Sequence, residues 1–255
     1  MNRAGARFGP GWTSAVLALG LAVAACDGTG PNTCYDSNAF SYGFALGGDS
    51  TLVFHWPADR MPVRYYAEPT GALRTNVLAS LTTWVNAFHC QEASFQLVTD
   101  SSRAEVIVRQ VATLPPTDAG SVVFAADSVG ACSGRTDGSF DSTKTLTGPL
   151  RTYVAPLGVG DTAALAACYR MVTTHELGHT LGLFAHSPNA ADLMYPTPRR
   201  STPSPDDRYT LQRLYHTTPT IRPAPRVPQA PCGPAAAAAD RIERAKVLVC
   251  PSPAN

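Results

Sequence analysis

Residues 175–186 read His-Glu-Leu-Gly-His-Thr-Leu-Gly-Leu-Phe-Ala-His, the pattern H-E-x-x-H-x-x-G-x-x-H. His175 and His179, four residues apart, lie one above the other on one face of a helix, so both imidazoles can reach one metal ion. Gly182 suits a helix end, where a positive φ is cheap without a Cβ. The chain can then turn and return His186 as a third ligand. Three nitrogens leave one position on zinc open for water, as a catalytic site requires and a four-ligand structural site does not. Glu176, next to the first histidine, has the chemistry of a base beside that water. H-E-x-x-H alone arises by chance in roughly 1% of chains of this length, and Gly182 with His186 lowers that about several hundredfold. Three of the six histidines fall in this one motif.

Downstream stands Asp192-Leu193-Met194-Tyr195-Pro196. The histidine motif followed by this run resembles the metzincin metalloproteases, whose signature adds a methionine-bearing turn after the third histidine. Met194 takes the place of that methionine. Ser187 directly after His186, and the Leu-Met-Tyr-Pro run, are similar to the matrixin branch. In other branches a tyrosine two residues beyond the methionine can bind zinc; Pro196 stands there, so no tyrosine ligand is expected. The resemblance implies an α+β zincin-like fold: a twisted, mostly parallel sheet with an antiparallel edge strand, two long helices and a small C-terminal subdomain. It implies a zinc-dependent endopeptidase with His175, His179 and His186 on one zinc ion, Glu176 as general base, and Gly182 and Met194 supporting the site. The partner it implies is a protein or peptide substrate laid along a sheet edge by β-augmentation, and the expected state is a monomer. A non-catalytic, zinc-bearing adhesion module is the competing reading. The intact Glu176 argues against it.

The chain has 255 residues, enough for one domain with extensions. Its 44% hydrophobic and 15% charged content suits a packed core. A net charge of +1 carries no basic footprint for nucleic acid.

Residues 1–25 read as an export signal, with Arg3 and Arg7 ahead of an apolar run from Trp12 to Ala25. The end, Leu21-Ala22-Val23-Ala24-Ala25-Cys26, resembles a bacterial lipobox, which would make Cys26 a lipidated N-terminus and anchor the protein to a membrane. Ordinary cleavage near Ala25 is the alternative. Seven cysteines favour the lipobox, since lipidation leaves an even six. These six should be oxidised in an exported protein. Cys232 and Cys250, bracketing an alanine-rich segment, are the best single pair by loop length. Cys34, and Cys232 within Pro231-Cys232-Gly233, could each reach zinc, but disulfides suit both better.

Residues 26–51, rich in Gly, Asn, Ser and Asp, read as a tether. The catalytic domain is expected over 52–217 and a Pro/Ala-rich tail over 218–255. Within the domain, Met61–Ala67, Phe95–Val98, Glu105–Val111 and Leu150–Ala155 suit strands. Thr70–Phe88 suits an amphipathic helix with Leu73, Val77, Leu81, Trp84, Val85 and Phe88 inward. Asp161 is a candidate N-cap for a helix running into the zinc motif, and Pro205-Asp206-Asp207 opens another. Either Val122–Ala125 or the glycine-rich Gly130–Phe140 supplies the edge strand. No histidine lies between His89 and His175, so a second, structural zinc is not expected. Calcium at Asp118, Asp127, Asp137 or Asp141 is conceivable by resemblance, though turn chemistry accounts for these residues as well.

Overall fold

The computed structural model describes residues 41–68, 72–89, 91–118, 121–158 and 162–226. Cys26, Cys34, Cys90, Cys232, Cys250 and Asp161 therefore lie outside the described residues, and the expectations about them are neither met nor overturned.

Six strands form one sheet in the order β2-β1-β3-β6-β5-β4. They are β1 (Val63–Ala67), β2 (Phe95–Val98), β3 (Val106–Gln110), β4 (Val122–Val129), β5 (Cys132–Gly138) and β6 (Leu150–Pro156). The pairs β1–β2, β1–β3 and β3–β6 are parallel. β5 runs antiparallel to β6, and β4 antiparallel to β5. Both segments offered as the edge strand are thus strands: β4 is outermost, and β5 lies between it and β6. β5 carries little strand propensity, with the sequence Cys-Ser-Gly-Arg-Thr-Asp-Gly, yet all seven residues are buried. Its polar groups are matched instead of solvated. Arg135 Nε donates to Asp137 Oδ2 at 3.0 Å, and Thr136 and Thr152 share a hydroxyl contact at 3.0 Å. Tertiary pairing here overrides local preference. Burial pushes the Asp137 carboxyl up, and the Arg135 guanidinium opposes that shift.

Helix α1 (Ala72–Val85) buries Leu73, Val77, Leu81 and Trp84 as the spacing predicts, with Phe88 just beyond its end. Helix α2 (Thr162–Thr180) carries the zinc motif at its C-terminal end. From Val172 to Thr180 every residue of α2 is buried, so this half is enclosed on all sides. The polar groups around it lock it in place. Trp84 Nε1 donates to Thr174 O at 2.8 Å, Trp56 Nε1 to Thr180 O at 2.8 Å, and Ser80 and Tyr65 meet Thr174 and Thr180 through their hydroxyls. Helix α3 (Pro205–Tyr215) opens on a reciprocal cap between Ser204 and Asp207, with proline in its first turn.

The core extends upstream and downstream of 52–217. Tyr42 and Leu46 are buried in it, as is Ile221. The Thr220 and Ile221 amides donate to Val53 O, and Arg226 Nε reaches Glu105 Oε1 at 2.6 Å. Segments read from composition as tether and tail are therefore, at 41–51 and 218–226, packed onto the domain.

Candidate metal centre

Helix α2 ends where the motif requires it. Gly182 has φ of 105°, and a Cβ built there would lie 1.9 Å from Phe54 O. Both the turn and the close approach of residue 54 exclude a side chain. The chain then reverses and brings His186 back to the helix. Ring centroids of His175, His179 and His186 are separated by 4.7, 5.4 and 5.1 Å. Their nearest ligand atoms all fall within 4.8 Å of one another, the one such cluster of metal-ligating side chains among the described residues. Asp137 and Asp141, considered for calcium, are held by Arg135 and by Thr143 and Thr145.

The protonation pattern of the first two histidines fits a cation. His175 Nδ1 lies 2.7 Å from Leu193 O, and His179 Nδ1 lies 2.5 Å from Leu183 O. A carbonyl only accepts, so each Nδ1 carries the proton and donates it. In the neutral ring each Nε2 then keeps its lone pair, and the two Nε2 atoms face each other at 3.0 Å. Two lone pairs at that distance repel unless a positive charge lies between them. Tetrahedral zinc with Zn–N near 2.05 Å would hold such nitrogens roughly 3.3 Å apart. The donor set thus fits zinc, and the carbonyls fix the tautomer that a ligand needs.

The turn that supplies Leu193 O is itself tied down. Ser187 N donates to Met194 O at 2.8 Å, and Ser187 Oγ to Asp192 Oδ2 at 2.5 Å. Asp207, fully buried, accepts from Leu193 N, Met194 N, Ser204 N and the Tyr42 hydroxyl. Burial, with Asp207 beside it, pushes the Tyr42 phenol well up, which keeps it a donor. Met194 is fully buried beneath the helix, and a Cβ at Gly178 would meet its sulfur at 2.5 Å. Glycine within the motif therefore makes room for the methionine.

Glu176 faces β5. Its carboxylate accepts from Thr136 Oγ1 at 2.7 Å, and a Cβ on Gly134 would come within 2.4 Å of Oε1. A disulfide between Cys132 and Cys168 joins β5 to α2 two helical turns before His175. Of the site residues named from the sequence, His175, His179 and His186 come together, Met194 packs against Gly178 within the motif, and Glu176 is turned to β5. Gly178, Gly134, Thr136 and Asp207 were not named as site residues. The Ser204-to-Asp207 spacing of a capping box could have found Asp207, whereas nothing in the sequence pairs Thr136 with Glu176.

A mixed, mostly parallel sheet with α2 carrying a clustered histidine triad, closed by a buried methionine turn, defines an α+β metzincin-like fold. The matrixin family model matches residues 89–216, half of the chain, and the chain belongs to this family of zinc metalloproteases. Stromelysin-2 of Rattus norvegicus is 45% identical over 80 residues, covering 26% of this chain and 17% of that protein. Matrix metalloproteinase-26 of Homo sapiens is 48% identical over 50 residues, covering 18% of this chain and 19% of its own length. The chain spans less than a fifth of either relative's length. Among the described residues, no helix is long and apolar enough to cross a membrane.

Proposed function

We propose that this chain is a zinc-dependent endopeptidase that hydrolyses peptide bonds of extracellular or envelope proteins. The observation that carries the reading is the convergence of His175, His179 and His186, with the Nε2 atoms of the first two facing each other at 3.0 Å and Glu176 on the same helix turn. His175, His179 and His186 hold zinc. The metal, when bound, supplies an acidified water and polarises the scissile carbonyl. Glu176 takes a proton from the attacking water on a carboxylate oxygen and passes it to the leaving amine nitrogen. Burial of Glu176 and of two of the histidines keeps competing solvent from the carboxylate. Gly182 and Met194 hold the ligands in place and take no part in the chemistry.

The test is cleavage of an unstructured protein such as casein by purified protein holding one equivalent of zinc. Activity that a chelator abolishes and zinc restores supports the reading. A zinc-loaded protein that cuts neither casein nor a diverse peptide library would instead be a binding module. At the membrane, the lipobox-like run supports an acyl anchor on Cys26. Mass spectrometry of the mature N-terminus tests this, and an unmodified Cys26 rules it out.

A further inference from the structure

We propose that Thr136 is the positioning residue for Glu176, with Thr152 behind it; this rests on Glu176 being the base. Successive residues of a strand point to opposite faces, so Cys132, Gly134 and Thr136 share one face of β5. That face is turned to α2, and each of the three meets the helix differently. Cys132 is bonded to Cys168, which fixes the strand against the helix. Gly134 leaves the space that the Glu176 side chain fills: a Cβ there would lie 2.4 Å from Oε1 and 2.6 Å from Cγ. Thr136 Oγ1 donates to Glu176 Oε2 at 2.7 Å.

A hydroxyl has one proton, and the ionised carboxylate can only accept. Thr136 therefore gives its proton to Glu176 and accepts from Thr152, whose hydroxyl lies 3.0 Å away. The two threonines are register partners on β5 and β6. The donors run one way, from Thr152 to Thr136 to Glu176, and each bond polarises the next. All three residues are fully buried, so water does not compete for these bonds. Glutamate has three side-chain torsions, and an unanchored carboxylate would sample several positions. Thr136 holds one oxygen and so restricts where the carboxylate can sit. A base placed before the substrate arrives lowers the barrier by orientation. The contact spans 40 residues of sequence and depends on a side chain.

The test compares Thr136→Val, Thr136→Ser and Thr152→Val with wild type in the zinc-loaded full chain, with kcat and KM on a peptide measured separately. Zinc affinity and Tm are measured on the same samples. Thr136→Val should lower kcat roughly 10- to 100-fold, the usual effect of losing an outer partner in a metal site. KM and zinc affinity should stay within about twofold, because the histidines are oriented by backbone carbonyls that the substitution leaves alone. Thr136→Ser should restore most of kcat, and Thr152→Val should cost less than Thr136→Val. In a Glu176→Gln background, Thr136→Val should have little further effect, as residues acting through one another do not add. An unchanged kcat in Thr136→Val overturns the proposal. So does a loss of kcat, zinc affinity and Tm in step that serine fails to reverse, which would mark Thr136 as fold support. A zinc-loaded wild type without peptidase activity overturns the reading of Glu176 as base and this proposal with it, and it is told apart by the wild type alone.

Discussion

The two walls around Glu176 are built differently. On the helical wall, His175 and His179 are oriented by the carbonyls of Leu193 and Leu183, within 18 residues of their ligands. On the sheet wall, Glu176 is held by the Thr136 side chain, with Gly134 giving it space. A backbone carbonyl survives any point substitution that leaves the chain path intact. A hydroxyl is lost with one codon. Metal binding should therefore be robust to substitution and catalysis fragile, and the two should separate experimentally.

The largest separation is expected from Glu176→Gln. The amide is nearly isosteric and cannot act as base, so kcat should fall about 10²- to 10⁴-fold. Zinc content, read by atomic absorption, should stay at one equivalent; near-normal turnover would remove Glu176 from the mechanism. Next is removal of the bridge that joins the walls. Cys132→Ala with Cys168→Ala opens a loop of sequence separation 36, and the chain-entropy relation gives a stability loss of about 4 kcal/mol. Denaturant unfolding measures the loss, and activity should decline more than zinc affinity in the folded fraction. If zinc affinity falls as far as activity, the walls are not independent. On the helical wall, Gly182→Ala forces a Cβ into Phe54 O at a positive φ. A destabilisation of roughly 3 kcal/mol is expected from strain and overlap together, with zinc affinity falling in parallel. A variant with wild-type Tm would show that residues 54 and 182 separate easily.

The smallest effect concerns acid stability away from both walls. Burial lowers the pKa of His55 from its ordinary 6.5, while the imidazole donates to Thr217 O at 2.8 Å. The unfolded chain then takes up its proton first as pH drops. Stability from this residue is complete above about pH 6.5 and is lost as pH falls through the lowered folded value. His55→Gln can still donate to Thr217 O and should flatten that slope in Tm against pH. An unchanged slope assigns the acid sensitivity to other groups.

What could be read from the sequence follows the same division. The histidine spacing, Gly182 and Met194 were legible because helix geometry and a local turn fix them within about 20 residues. Helix α1 was legible from its apolar spacing, and β1, β2, β3 and β6 from their branched and aromatic residues. β5 was legible only as one of two candidates for the edge strand, because two glycines and an Arg-Thr-Asp run conceal a strand whose polar groups find partners only after the sheet closes. Tyr42 was hidden for a related reason. Its surroundings have the composition of a linker, and its value lies in the Asp207 carboxylate 165 residues away.

The short sequence span of the helical wall has a consequence in time. The three histidines and the two carbonyls that orient them lie within residues 175–193, so little loop entropy opposes their meeting. Contacts of low sequence separation form early in folding, whereas the Thr136 bond, across 40 residues, waits for β5 to dock on α2. A newly made chain would thus acquire its metal before it acquires a seated base. For that interval it would be loaded but unable to cut its neighbours. Zinc uptake that precedes the return of peptidase activity during refolding is the expected signature.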